Sequence, residues 1–152
     1  MKTCTFDIQI PTSKSPDFID ITDNVLNCIT DSEISNGIVL VFSKHTTAAI
    51  SIQENEPLLL DDFKNLLENF SSERGHYNHN DFDVRTVHMH EDECPNGHSH
   101  CQHLLLGSSE SIPLINGDIA LGEWQRLFMV ELDSQKAAQV SYRALIVQIM
   151  GE

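Results

Sequence analysis

Residues 3–10 alternate. Cys4, Phe6, Ile8 and Ile10 fall on one side and Thr3, Thr5, Asp7 and Gln9 on the other, the period-two pattern of a strand with one buried face. The prolines and serines of 11–17 predict a turn. In 20-DITDNVLNCITDS-32 the apolar residues Ile21, Val25, Leu26 and Ile29 share a helical face, with Asp20 or Thr22 available as a cap. Gly37 then breaks the chain before two apolar strands, 38–42 and 48–52, joined by the polar insert 44-KHTT-47. A second helix is predicted over 56–70, where Leu59, Leu60, Phe63, Leu66, Leu67 and Phe70 keep three-and-four spacing and Pro57 suits the first turn. Residues 71–100 are polar and lack a period, which predicts a long loop, followed by a short helix end at the apolar LLLG of 104–107. Asn116-Gly117 between SIPLI and DIALG marks a hairpin. Segments 124–132 and 142–150 are rich in strand formers and are expected to pair antiparallel. The pattern predicts an α+β fold. It is a compact single domain over 1–152 with layered, mainly antiparallel β-sheets, two main helices and a long His-rich loop.

Composition narrows the function. At 152 residues and 40% hydrophobic content the chain can bury a core without covalent staples. Its formal charge of −14, from 23 acidic and 9 basic residues, argues against general nucleic-acid binding and against docking on anionic lipid. The N-terminal MKTCTFDIQI has no apolar core of a signal peptide, and no apolar run reaches the length of a membrane span. A cytoplasmic protein with four free cysteines, no nucleic-acid partner and no membrane partner is expected.

The histidines change the picture. Six of the eight lie in 71–100, and 94-CPNGHSHCQH-103 packs three histidines and two cysteines together. Six residues separate Cys94 from Cys101 and no second cysteine pair exists, so the spacing does not suit a structural zinc knuckle. An open metal site built from imidazoles and nearby carboxylates and a merely solvated polar loop both fit the residues. His45, in KHTT, reads alone as a hydrogen-bonding group at a strand end. Glu54 and Asn55 read as helix-opening residues, and Trp124 and Gln125 as a packed aromatic and its polar neighbour. No phosphate-binding glycine loop, nucleophile elbow or dinucleotide fingerprint is present.

Four segments taken together, HTTAAISIQEN, YNHND, PNGHSHCQHLLLGSS and LINGDIALGEWQRLFMVELD, resemble the YjbQ-like family of secondary thiamine-phosphate synthases. The likeness runs from about Lys2 to Gly151. The family's HTS/HTT histidine matches His45, its NEN element Glu54 and Asn55, and its Y-x-H motif Tyr77 and His79. Its later histidine matches His100, with His98 as an extra one, and its G-x-W-Q motif Gly122, Trp124 and Gln125. The chain departs from the pattern at Gln53, at Glu123 and in a longer, His-rich insertion between Tyr77 and Pro95.

The resemblance implies a layered α+β domain assembled as a homotrimer, with the shared histidines near a subunit boundary. It implies a divalent metal, zinc or, with a diphosphate substrate, Mg2+, held by His45, His79 and His100. Glu54 would orient a ligand or act as general base, His45 and Gln125 would take part in catalysis, and Asn55, Asn96 and Trp124 would contact a small-molecule substrate. The implied reaction joins hydroxymethylpyrimidine diphosphate to thiazole phosphate. Two alternatives stand beside it: a metal-dependent hydrolase or lyase on a small substrate, and a non-enzymatic trimer that binds metal or ligand.

Overall fold

A computed structural model describes residues 1–152. Strand β1 (Lys2–Pro11) is followed by β2 (Asp17–Asp20), helix α1 (Thr22–Ser32), β3 (Gly37–Ser43), β4 (Ala48–Glu54) and helix α2 (Pro57–Phe70). After a single 3-10 turn at Asn78–Asn80 come α3 (Gly97–Leu106), β5 (Ser109–Ile115), β6 (Asp118–Ile119), β7 (Gln125–Glu131), α4 (Ser134–Gln139) and β8 (Tyr142–Gly151). No helix is long and apolar enough to cross a membrane.

The strands form two antiparallel sheets, β1-β8-β3-β5-β6 and β2-β7-β4. The inner face of the five-stranded sheet (Ile10, Val39, Val41, Ile112, Leu145, Val147 and Ile149) packs on α1 and on Ile50, Leu127 and Met129 of the three-stranded sheet. The other face of that smaller sheet, with Ala49, Phe128 and Val130, is covered by Leu67 of α2 and by Leu132. Phe18 of β2 stacks between Phe63 and Phe128 at centroid distances of 5.6 and 6.1 Å and closes this second core.

The α+β class and the layered antiparallel sheets agree with the sequence reading, with three differences. Segments 124–132 and 142–150 do not pair with each other: β7 is the centre of the smaller sheet and β8 lies between β1 and β3 in the larger. The polar stretch ends at Asn96, because α3 is a full ten-residue helix. A short edge strand, β2, and a six-residue helix, α4, complete the fold. The Asn116-Gly117 hairpin is present, with both residues at positive φ (52° and 88°), which Asn and Gly tolerate. Helix α2 begins with Pro57, and the Glu56 carboxylate accepts from the N–H groups of Leu58 and Leu59, so Glu56 rather than Glu54 or Asn55 caps it.

Candidate functional site

His45 sits just beyond β3, in the link to β4. The Ser43 hydroxyl donates to Ala48 O at 2.6 Å and accepts from the His45 N–H, which fixes the KHTT turn. The Ala144 N–H of β8 donates to His45 Nε2 at 3.2 Å. Nε2 therefore supplies its lone pair to the backbone, and the ring proton of neutral His45 belongs on Nδ1. Burial, and then the Arg143 guanidinium beside it, hold this histidine below its ordinary pKa.

His79 arrives on the 3-10 turn. Tyr77 anchors that turn: its hydroxyl donates to Ser72 O at 2.7 Å and lies 2.9 Å from Ser71 Oγ. Asn80 Oδ1 then accepts from the Gly97 N–H at 2.9 Å, joining the turn to the first residue of α3. A Cβ on Gly97 would lie 2.5 Å from Tyr77 Cβ, so glycine is what allows the close approach. This junction places His79 against His100, on the first turn of α3, with ring centroids 4.6 Å apart and planes at 68°. Burial lowers the pKa of both rings, Arg85 lowers that of His79 further, and His100 is lowered further by His79 itself.

Asn96 connects this pair to the core. Its Nδ2 donates to Asp133 Oδ2 at 2.8 Å, which turns Oδ1 the other way, and Oδ1 is buried with no hydrogen-bond partner. The Asn96 side chain lies close enough to His79 to favour the protonated ring, without completing a hydrogen bond in this geometry. Asp133 also accepts from the Lys136 N–H, and its own N–H donates to Glu131. Glu131, fully buried, is held by Arg143 through two contacts of 2.7 Å and by the Thr12 hydroxyl at 3.0 Å.

These groups open on one cavity of about 520 Å3. His45, His79, His88, His90 and His100 line it, as do Lys44, Arg85, Lys136 and Arg143, against three carboxylates, Asp92, Glu93 and Asp133. Arg85 ties down the loop at its mouth, pairing with Glu93 at 2.9 Å and donating to the carbonyl oxygen of His88 at 2.8 Å.

Of the residues expected at the site, His45, His79, Asn96 and His100 share this cavity. Glu54, Asn55, Trp124 and Gln125 do not. Glu54 is six residues along β4 from Ala48, about 20 Å at ~3.3 Å per residue, and faces Gln125 across the β4–β7 pair. Gln125 Oε1 accepts from the Gly122 N–H, Asn55 donates to Asp20, and Trp124 is two-thirds exposed. His98 lies in a second, smaller cavity and His103 is bonded to Ser108. Sequence reasoning passed over Glu131, Asp133 and Arg143. For Glu131 alone the available signal was a charged residue at the end of the apolar run LFMVEL, which burial requires to be paired.

The expected metal fits these residues only in part. His79 and His100 are adjacent neutral imidazoles beside an orphaned amide oxygen, a suitable start for a borderline divalent ion. His45 has committed Nε2 to Ala144, and no group of three or more His, Cys, Asp or Glu side chains is arranged around one point.

The fold and site define a two-sheet α+β domain with a polar, histidine-lined cavity. Residues 6–152 match the family model described as UPF0047 protein YjbQ-like, and the chain belongs to that family. It is 38% identical over 140 residues to a UPF0047 protein of Methanothermobacter thermautotrophicus, covering 92% of this chain and 90% of that one. It is 30% identical to UPF0047 protein YugU of Bacillus subtilis, over 95% and 97% of the two chains. The fold is similar to the crystal structure of a Sulfolobus solfataricus protein described as YbjQ-like and of unknown function, with TM-score 0.86, 33% identity and 99% of each chain covered.

Proposed function

We propose that the cavity is the active site of an enzyme acting on a small phosphate-bearing substrate, and that the chain has weak thiamine-phosphate synthase activity. One observation carries the reading. In a chain of charge −14, four of the nine Lys and Arg residues and five of the eight histidines line a single cavity. Each of these cations is paired with a carboxylate, Lys44 with Asp7, Lys136 with Asp92, Arg85 with Glu93 and Arg143 with Glu131, so an anionic ligand would bind there by exchanging with those carboxylates at the concentrated Lys and Arg groups. Lys44 and Lys136, half-exposed and released from Asp7 and Asp92, would supply flexible charge for the phosphates, and the Nδ1–H of His45 is a further donor. A divalent ion, zinc or Mg2+, would rest on His79 and His100, where its chemistry is neutralisation of a leaving diphosphate.

The neutral His79–His100 pair also favours a second reading, a hydrolase or lyase in which one ring takes a proton and the other gives it back. Formation of thiamine phosphate from hydroxymethylpyrimidine diphosphate and thiazole phosphate is the test, run with Mg2+ and with Zn2+. Synthesis by the wild type that His100→Ala abolishes, in a variant that remains folded, supports the first reading. Turnover confined to small phosphate esters or lactones supports the second. Anion or metal binding with no turnover of any of these substrates contradicts both and leaves a binding protein.

The proposal includes a cytoplasmic homotrimer. The outer side of the five-stranded sheet carries Ile38, Leu40, Phe42, Ile146 and Met150 in adjacent register, and Ile38 and Phe42 are 49% and 38% exposed. An apolar face of this kind suits a protein interface. In such an assembly Glu54, Trp124 and Gln125, remote from their own chain's histidines, would complete a neighbour's site. Sedimentation at three times the 17.1 kDa chain mass is expected; a monomer at all concentrations contradicts the assembly.

A further inference from the structure

The amide of Asn96 is held in one sense. Asp133 is a carboxylate and can only accept: it takes the Lys136 N–H at 2.9 Å and Asn96 Nδ2 at 2.8 Å. A flipped amide would set two acceptors face to face, so Asn96 must turn Oδ1 away from Asp133. Asp133 is itself fixed, because its N–H donates to the buried Glu131 carboxylate at 3.1 Å. The Asn96 backbone is fixed as well. Its carbonyl oxygen accepts from the N–H groups of Ser99 and His100, at 2.9 and 3.3 Å, and so starts α3.

This leaves Oδ1 buried, out of reach of solvent and without a partner. Such an acceptor is costly unless a protein group donates to it. The nearby cations are turned to other partners, Arg85 to Glu93 and the carbonyl oxygens of His79 and His88, Lys136 to Asp92. The Cys94 thiol points at Asp133. The His79 ring remains. Among the groups that act on that ring Asn96 is the hydrogen-bonding one, and it favours the N–H, as an acceptor does. A small rotation of the ring completes the bond.

We infer that Asn96 is a positioning residue: its Oδ1, aimed by Asp133, takes the ring N–H of His79 and fixes which nitrogen carries the proton and which keeps the lone pair. The inference rests on the reading of His79 and His100 as the chemical centre of the cavity and gives that pair a direction. The lone pair on the other nitrogen of His79 is the one available to an ion or a proton, and the charge of Asp133 stands behind Asn96 when the ring turns positive.

The test uses the full chain, 15N-labelled and treated with EDTA, in long-range 1H–15N spectra of the histidine rings at pH 8, above the ordinary histidine range. His79 is expected as a single tautomer, its N–H protected from exchange with water and close to the Asn96 side chain in nuclear Overhauser spectra. Asn96→Ala should abolish that preference and let the ring average between its two tautomers. Asp133→Asn, which keeps the side-chain shape, should do the same, because an amide at 133 can face Asn96 in either sense. His45, whose proton the Ala144 N–H places on Nδ1, is the internal control and should not change. Averaging of His79 in the wild type, or an unaltered single tautomer in every folded variant, would overturn the inference. Neither metal nor substrate is present, so that result would leave the phosphate reading of the cavity standing. A cavity that binds no phosphate would likewise leave the tautomer result standing.

Discussion

Replacing Arg143 by Met tests how the site is held to the core. The Arg143 and Glu131 side chains are 4% and 0% exposed, and the guanidinium contacts the carboxylate through Nε and Nη2. Nη2 also donates to the Thr47 hydroxyl at 3.2 Å. Methionine fills a similar volume, so the cost is mainly electrostatic. It leaves a buried carboxylate with two neutral donors, the Thr12 hydroxyl and the Asp133 N–H. Removing one member of a buried, hydrogen-bonded ion pair costs about 3–5 kcal/mol, whereas replacing both with apolar residues is often close to neutral. Urea unfolding at pH 7 should therefore show Arg143→Met less stable by about 3–5 kcal/mol at unchanged m, with Arg143→Met/Glu131→Leu recovering much of that loss. A loss under about 1 kcal/mol, or a double variant as unstable as the single, would refute the reasoning.

Two further predictions concern the histidine junction. Gly97→Ala should destabilise the protein by about 1–3 kcal/mol, since the new methyl meets Tyr77 Cβ, and should separate His79 from His100; unchanged urea midpoints and histidine ring shifts would contradict this. The pKa values of His45, His79, His100 and His103 are lowered in the folded chain, each chiefly by burial, so the unfolded chain binds protons first as pH falls through about 6.5. The stability these rings contribute is complete above that value and is lost on acidification towards their folded values. Unfolding free energy should fall between pH 7.5 and 5.5, less steeply in His100→Asn; identical slopes would contradict the assignment.

Much of this fold was legible in local pattern. The alternation of 3–10, the spacing of 56–70 and the Asn-Gly turn each appear where expected. Strand pairing was not legible, because β-forming residues identify a strand without naming its neighbour. Only burial in the fold tells the two segments apart: residues 127–132 are buried without interruption, as suits a strand covered on both faces, whereas burial alternates over 142–150, as suits a sheet with one outer face, although Ala144–Val147 is an unbroken apolar run in the sequence. Helix α3 escaped notice for a related reason: the side chains it buries, His98, Ser99 and Gln102, are polar, so no apolar stripe marks its inner face. At the site, the motif histidines and Asn96 do share a cavity. The Glu131–Arg143 pair and Asp133 behind them depend on contacts between residues up to 119 apart, as with Thr12 and Glu131, which no local pattern displays.

The central proposal is that His79 and His100 form the chemical centre of the cavity and would hold a divalent ion there. The most direct measurement is elemental analysis of untagged protein, wild type beside His79→Ala/His100→Ala, with folding checked by circular dichroism. The account predicts about one zinc or similar ion per wild-type chain and none in a folded double variant. Well-folded wild type that takes up no divalent metal, or a double variant that keeps it, would contradict the account.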